Sequence, residues 1–283
     1  MTAGEAVVRW LCRPNLNVPG LPMGIFRIHA DVLVGTFMIV GAYLIATGFL
    51  KARGIVPDKR RRLYLVLALL ILLLAEVTPL HDLAENFLFS MHMVQHILLV
   101  YLLPPLLISG LPPQVYQPVV RRPWALAVAR VLTHPVVAIV LGNAVYAFWH
   151  VPMLYQAAAA IHEVHILQHI LMVGTAILMW WPLFGPVKEL QTLGPPAKLL
   201  YVFALNASQL GVFAYVTFSN KLLYPYYASA PRLFGITPEV DQLLAGLVMK
   251  LSMLVILVPI LTGIFFSWVR EEEGRARQRL SSA

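Results

Sequence analysis

The sequence predicts an all-α integral membrane protein, a bundle of about seven transmembrane helices. Three observations carry that expectation. Of 283 residues, 59% are hydrophobic and only 12% are charged, against about 25% charged in an ordinary soluble domain. The mean hydropathy is +0.76. The apolar residues also fall in long blocks rather than amphipathic stripes, and a membrane span needs about 20 of them in a row.

The blocks run over residues 30–50, 63–80, 87–109, 132–150, 163–182, 197–218 and 241–268. An arm of residues 1–29 precedes them. It lacks the basic-then-apolar order of a cleavable signal, so the first block is expected to direct insertion. The link after that block holds Lys51, Arg53, Lys59, Arg60, Arg61 and Arg62 against a single Asp58. Short basic loops stay in the cytoplasm. Alternation then puts three more basic regions inside: Arg121, Arg122 and Arg130 after the third block, Lys188 and Lys198 after the fifth, and Arg270, Arg275, Arg277 and Arg279 after the seventh. The outer links are poorer in basic residues. Residues 81–86 carry Asp82 and Glu85, residues 151–162 carry no Lys or Arg, and residues 219–240 carry Lys221 and Arg232. The expected orientation is N-out, C-in. Arg9, Arg13 and Arg27 of the arm run against it, and the other regions agree. The domain reading is an extracytoplasmic arm (1–29), a transmembrane domain (30–268) and a cytoplasmic basic tail (269–283). Pro104-Pro105 predicts a kink or early end in the third block. Gly185-Pro186 and Gly194-Pro195-Pro196 punctuate the loop after the fifth.

The net charge of +8 lies in these loops, so orientation explains it better than nucleic-acid binding does. A single cysteine, Cys12, excludes an internal disulfide and a CxxC metal motif.

Against this apolar background one pattern occurs twice: His92-Met93-Val94-Gln95-His96 and His165-Ile166-Leu167-Gln168-His169. Each opens a span, and helical spacing puts its two imidazoles on one face. Met91–Leu99 and Val164–Met172 agree at five of nine positions. Both spans are expected to run from outside to inside, so spans two–three and four–five read as a parallel internal repeat.

The expected topology gathers eight of the nine histidines near the outer face: His29, His81, His92, His96, His150, His162, His165 and His169. His134 alone lies inside. His29 and His134 read as structural. His162, His165 and His169 share a helical face. Burying several polar rings in lipid is costly unless they find partners, and one shared metal satisfies several at once. The candidate ligands are therefore His92, His96, His165 and His169, then His81, His150 and His162. Imidazole suits zinc, copper, iron and nickel, and the thioethers of Met91 and Met93 are soft enough for cuprous copper.

Gln95 and Gln168 could fix ring tautomers or bridge helices. Glu76 could balance a metal's charge or take protons. Asp241 and Gln242 open the seventh block at the level of the cluster, where an N-cap role is the simpler reading. Lys250 falls near mid-membrane and needs a partner from another helix, for which Glu76 is one candidate. His162-Glu163-Val164-His165 is HExH, not the HExxH of zinc proteases, and no catalytic constellation stands out, so no enzymatic activity is expected.

Four stretches resemble the CtaG-type cytochrome c oxidase assembly factors, a bacterial multi-span membrane family. They are Ser90 through Leu99 running into Pro104-Pro105-Leu106-Leu107; Trp149-His150-Val151-Pro152; His165 through His169 with Trp180-Trp181-Pro182-Leu183; and Asp241 through Met249. The family's aromatic-rich continuation is altered here, where Lys250 follows Met249. The resemblance implies a cell-membrane protein that matures a haem-copper oxidase. Its partners would be oxidase subunits and an extracytoplasmic copper donor, and its task copper delivery or insertion. Three other readings fit the residues: a bis-histidine haem protein, a metal or proton transporter, and a metal-free docking scaffold.

Overall fold

A computed structural model of the chain describes residues 30–52, 54 and 58–281. The arm, with His29 and Cys12, lies outside the described residues. All regular structure among the described residues is helical. α1 spans Ala30–Ala52, α2 Lys59–Glu76, α3 Pro79–Asn86 and α4 Phe89–Ile97. A π-helical stretch, Leu98–Leu102, joins α4 to α5, Leu103–Gly110. Then follow α6 (Pro123–Leu132), α7 (Pro135–Trp149), α8 (Pro152–Ala160), α9 (His162–Phe184), α10 (Pro195–Ser208), α11 (Leu210–Thr217) and α12 (Pro238–Ser281).

Among the described residues, four helical stretches are long and apolar enough to cross a membrane: Phe89–Gly110, His162–Phe184, Pro195–Thr217 and Pro238–Ser281. Two bent pairs raise the number to six if each is one span: α2 with α3, bent by 45°, and α6 with α7, bent by 66°. The first expected span, residues 30–50, falls on α1, of which Tyr43–Ala52 forms a shorter apolar helix.

One expectation needs correcting. Residues 81–86, read as a loop, belong to α3. Thr78 accepts the Leu80 N–H, and Pro79 sits in the first turn where its missing N–H costs nothing. Residues 269–281 continue α12 as helix. Arg275 lies 2.8 Å from Glu272 and 3.9 Å from Glu271, and Arg277 3.9 Å from Glu273, at the i,i+3 and i,i+4 spacings that support an exposed helix.

α4 and α5 form the centre. α12 and α3 pack on α4, and α2 and α9 on α5. At Gly110 a Cβ would lie 2.8 Å from the Leu65 backbone nitrogen, so α5 and α2 touch only because that side chain is absent. Arg61 Nη1 donates to Leu111 O at 2.9 Å and Ser109 O at 3.3 Å, completing carbonyls that the end of α5 leaves open.

The predicted proline kink appears as the π-helical stretch before Pro104. A proline at 104 has no N–H for the carbonyl of residue 100, four positions back. That carbonyl accepts the indole N–H of Trp180 instead, at 2.8 Å and fully buried. A helical defect in one span thus becomes the bond that ties it to α9.

Candidate metal centre

The functional side chains come from helix ends that converge at one end of the bundle. α4 begins at Leu88, which has no side-chain oxygen to cap it. Asp241, from the first turn of α12, supplies the cap. Its carboxylate accepts the Phe89 N–H at 2.7 Å, the Ser90 N–H at 3.1 Å and the Ser90 hydroxyl at 2.5 Å. Asp241 therefore caps a helix about 150 positions away and fixes where His92 and His96 point. Gln242 accepts the Leu223 N–H at 2.8 Å and donates to Lys221 O at 3.1 Å and Val216 O at 3.4 Å. It fastens the loop after α11 and makes no contact with the histidines.

Both copies of the repeated pattern place their rings in the same cluster. The rings of His92 and His96 meet at a tilt of 55° with centroids 4.2 Å apart, and those of His165 and His169 at 52° and 4.2 Å. Across the helices, His92 lies 6.2 Å from His165 and 6.5 Å from His169, and His96 lies 5.6 Å from His169.

Two carboxylates hold the rings. Glu85 Oε1 lies 3.4 Å from His92 Nδ1 and 3.3 Å from His165 Nε2, so it bridges the two copies. Glu76 approaches His81 Nδ1 at 3.3 Å and His169 Nδ1 at 3.1 Å. Gln95 donates to Ala75 O at 3.1 Å and meets His81 Nδ1 at 2.9 Å. Glu85, His165 and His169 each offer one ligand atom within 4.8 Å of the others.

The cluster is rich in unspent lone pairs. Both ring nitrogens of His92, His96 and His165, Nε2 of His169 and Oε1 of Glu85 are buried without a hydrogen bond. The Glu85 contacts are close in distance but not aligned for hydrogen bonding. Buried polar atoms of this kind are costly alone. A cation that accepts several donors at once removes the cost. The residues fit a metal ion by this test.

The other expected residues fall as follows. His150 is buried; its Nδ1 lies 2.7 Å from Tyr146 O, and its carbonyl accepts the Tyr224 hydroxyl at 2.9 Å. His162 opens α9 but is exposed. His134 is exposed and precedes α7. Met93 is buried and lines a small void of about 10 Å³ with His96, Tyr101, Tyr146 and Gln209, while Met91 is half-buried. Lys250 donates to Asn206 Oδ1 at 2.7 Å, so its partner is that amide on α10 and not Glu76, which the histidines occupy. Gln168 is buried with neither amide atom bonded.

Glu85 is the central residue that sequence reasoning left out of the site. The signal was present: Thr78-Pro79 is a helix start, and a helix from there puts His81 and Glu85 one turn apart on one face.

The model of the cytochrome c oxidase caa3 assembly factor family (Caa3_CtaG) matches residues 41–271. The chain belongs to that family. Its match takes in both HxxQH copies, Glu76, Glu85 and the capping Asp241, so the whole cluster lies within the family's domain. No curated protein and no solved structure gives a significant match. For a caa3 assembly factor the notable features are the carboxylates among the histidines and the helical bend that brings Glu85 to them.

Proposed function

We propose that this assembly factor binds copper at the histidine–carboxylate cluster and passes it to a haem-copper oxidase in a bacterial cell membrane. The observation that carries the reading is the convergence of Glu85, His165 and His169, with His92 and His96 beside them, on one buried spot. Nitrogen and oxygen donors of this kind suit cupric copper as well as zinc. Met93, beside His96, adds a thioether suited to the cuprous form.

Each residue has a task in this reading. Glu85 balances the ion's charge and links the two copies of the pattern. Glu76 receives the Nδ1–H of His169 and leaves Nε2 to face the ion, the carboxylate–histidine–metal relay that sets ring orientation. Gln95 and Ala75 O place His81. Asp241 sets the start of α4 and so the depth of its two rings. His96 stands about 6 Å further along the helix than His92, and His169 than His165. In an N-out, C-in orientation the cluster opens near the outer surface, where a copper donor would meet it. The deeper pair lies within the bilayer, from which an oxidase could receive the ion sideways. The task is binding and transfer between partners rather than catalysis.

Carboxylates held 3.1–3.4 Å from the imidazole nitrogens support the small-ion reading over haem. The test is metal analysis with a visible spectrum on protein purified in mild detergent, beside the copper content of the client oxidase in cells. The expected outcome is bound copper without a Soret band, lost from the protein and depleted from the oxidase when His92→Ala is combined with His169→Ala. Normal copper in both would overturn the proposal.

A further inference from the structure

A second feature lies at the other end of the bundle and shares no residue with the histidine cluster. The end of α9, the start of α10 and the last membrane turns of α12 enclose a cleft of about 350 Å³. Its floor is apolar, formed by Leu183, Phe184, Ile260 and Ile264, and its mouth carries Trp268, Lys198 and Glu271. Along α12, Ile260 to Glu271 spans about 16 Å. That covers the outer part of an acyl chain and a headgroup. Trp268 sits where aromatic residues collect at membrane interfaces.

The two charges at the mouth have only long contacts within the protein. Lys198 is half-buried, with Nζ donating to Leu183 O at a long 3.5 Å. Glu271 is half-exposed, and Arg275 lies 3.9 Å away while approaching Glu272 more closely at 2.8 Å. α10 starts at the cleft with Pro195 and Pro196, which offer no N–H, so Lys198 is the group there that meets an anion. One wall is Gly263, where an added side chain would meet no atom within 4 Å.

We propose that this cleft holds a zwitterionic aminophospholipid, phosphatidylethanolamine. Its phosphate meets Lys198, its ammonium meets Glu271, and an acyl chain lies over Ile260, Gly263 and Ile264. An anionic lipid without an amine satisfies Lys198 but faces the Glu271 carboxylate unpaired. The opposite charges at one mouth therefore select the zwitterion.

Native mass spectrometry of the full chain in mild detergent tests this. Phosphatidylethanolamine and phosphatidylglycerol of identical acyl chains are titrated in competition. The expected result is one retained lipid with a preference of about tenfold for phosphatidylethanolamine, equivalent to a modest ion-pair difference. Glu271→Gln abolishes the preference but keeps binding. Lys198→Gln weakens both lipids, and Gly263→Trp, which fills the cleft, removes both. These positions lie at the surface or face open space, so the variants fold. Equal binding of the two lipids by the wild type, no retained lipid, or unchanged binding in Gly263→Trp would each overturn the assignment.

Discussion

The two copies of the HxxQH pattern share a sequence and an internal geometry, yet they live in different surroundings. The first sits at the centre of the bundle: His92, Gln95 and His96 are 2%, 0% and 4% exposed. Its helix is held by the Asp241 cap, and Gln95 is bonded to Ala75 and His81. The second lies on a helix with one side open. Ile166, Leu167 and Ile170 around it are exposed, and Gln168 has no hydrogen bond. Burial and cross-helix bonds make the first copy a fixed wall. The second carries the two histidines that, with Glu85, come closest to a ligand set. In the proposed function one pattern would serve as frame and the other as working face, and the difference would come from neighbours rather than from the pattern.

The largest effect tests whether the two faces act as one site. Glu85→Ala removes a carboxylate that approaches both copies, and its cost should exceed the roughly 10–100-fold loss of metal affinity expected from losing an outer partner. Competition with a calibrated copper chelator measures it. Glu76→Gln keeps the shape but weakens the hold on His169, and should fall within that roughly 10–100-fold range in the same assay. An equal loss in both variants would mean that Glu76 binds the ion directly. Asp241→Ala should destabilise the fold by about 2 kcal/mol, the upper range for a lost helix cap, read by unfolding in detergent. A change in metal affinity with unchanged stability would contradict its framing role. The smallest effect compares the two amides. Gln95→Ala should cost about 1 kcal/mol of stability, as a lost interhelical hydrogen bond does. Gln168→Ala should cost less than that, because relief of a buried amide with no hydrogen bond offsets the cavity left behind. The reverse order would exchange the roles of frame and face.

Much of this was legible in the sequence for a physical reason. Long apolar blocks and imidazoles one turn apart are local properties, so the spans beginning near residues 87 and 163 and the facing pairs could be read directly. What was not legible depends on contacts distant in sequence. Asp241 looks like the cap of its own helix, and only packing reveals that it caps α4. Lys250 needed a partner that hydropathy cannot name, and Asn206 lies 44 positions away. Glu85 was hidden by an assumption of scale. A span that ends at residue 80 and another that begins at 87 leave a stretch short enough to pass for a loop, whereas the chain bends by 45° and continues as helix.

The bond between Trp180 and the carbonyl of residue 100 has a consequence for how the protein tolerates change. Its acceptor belongs to the main chain, so any side chain can occupy position 100 without abolishing it. The vulnerability is displaced onto two other positions: Pro104, whose missing N–H leaves the carbonyl available, and Trp180, which claims it. A proline that looks like a blemish in one helix is therefore half of a two-part latch, and the spacing between the two histidine-bearing helices is written partly in a residue that carries no polar side chain at all.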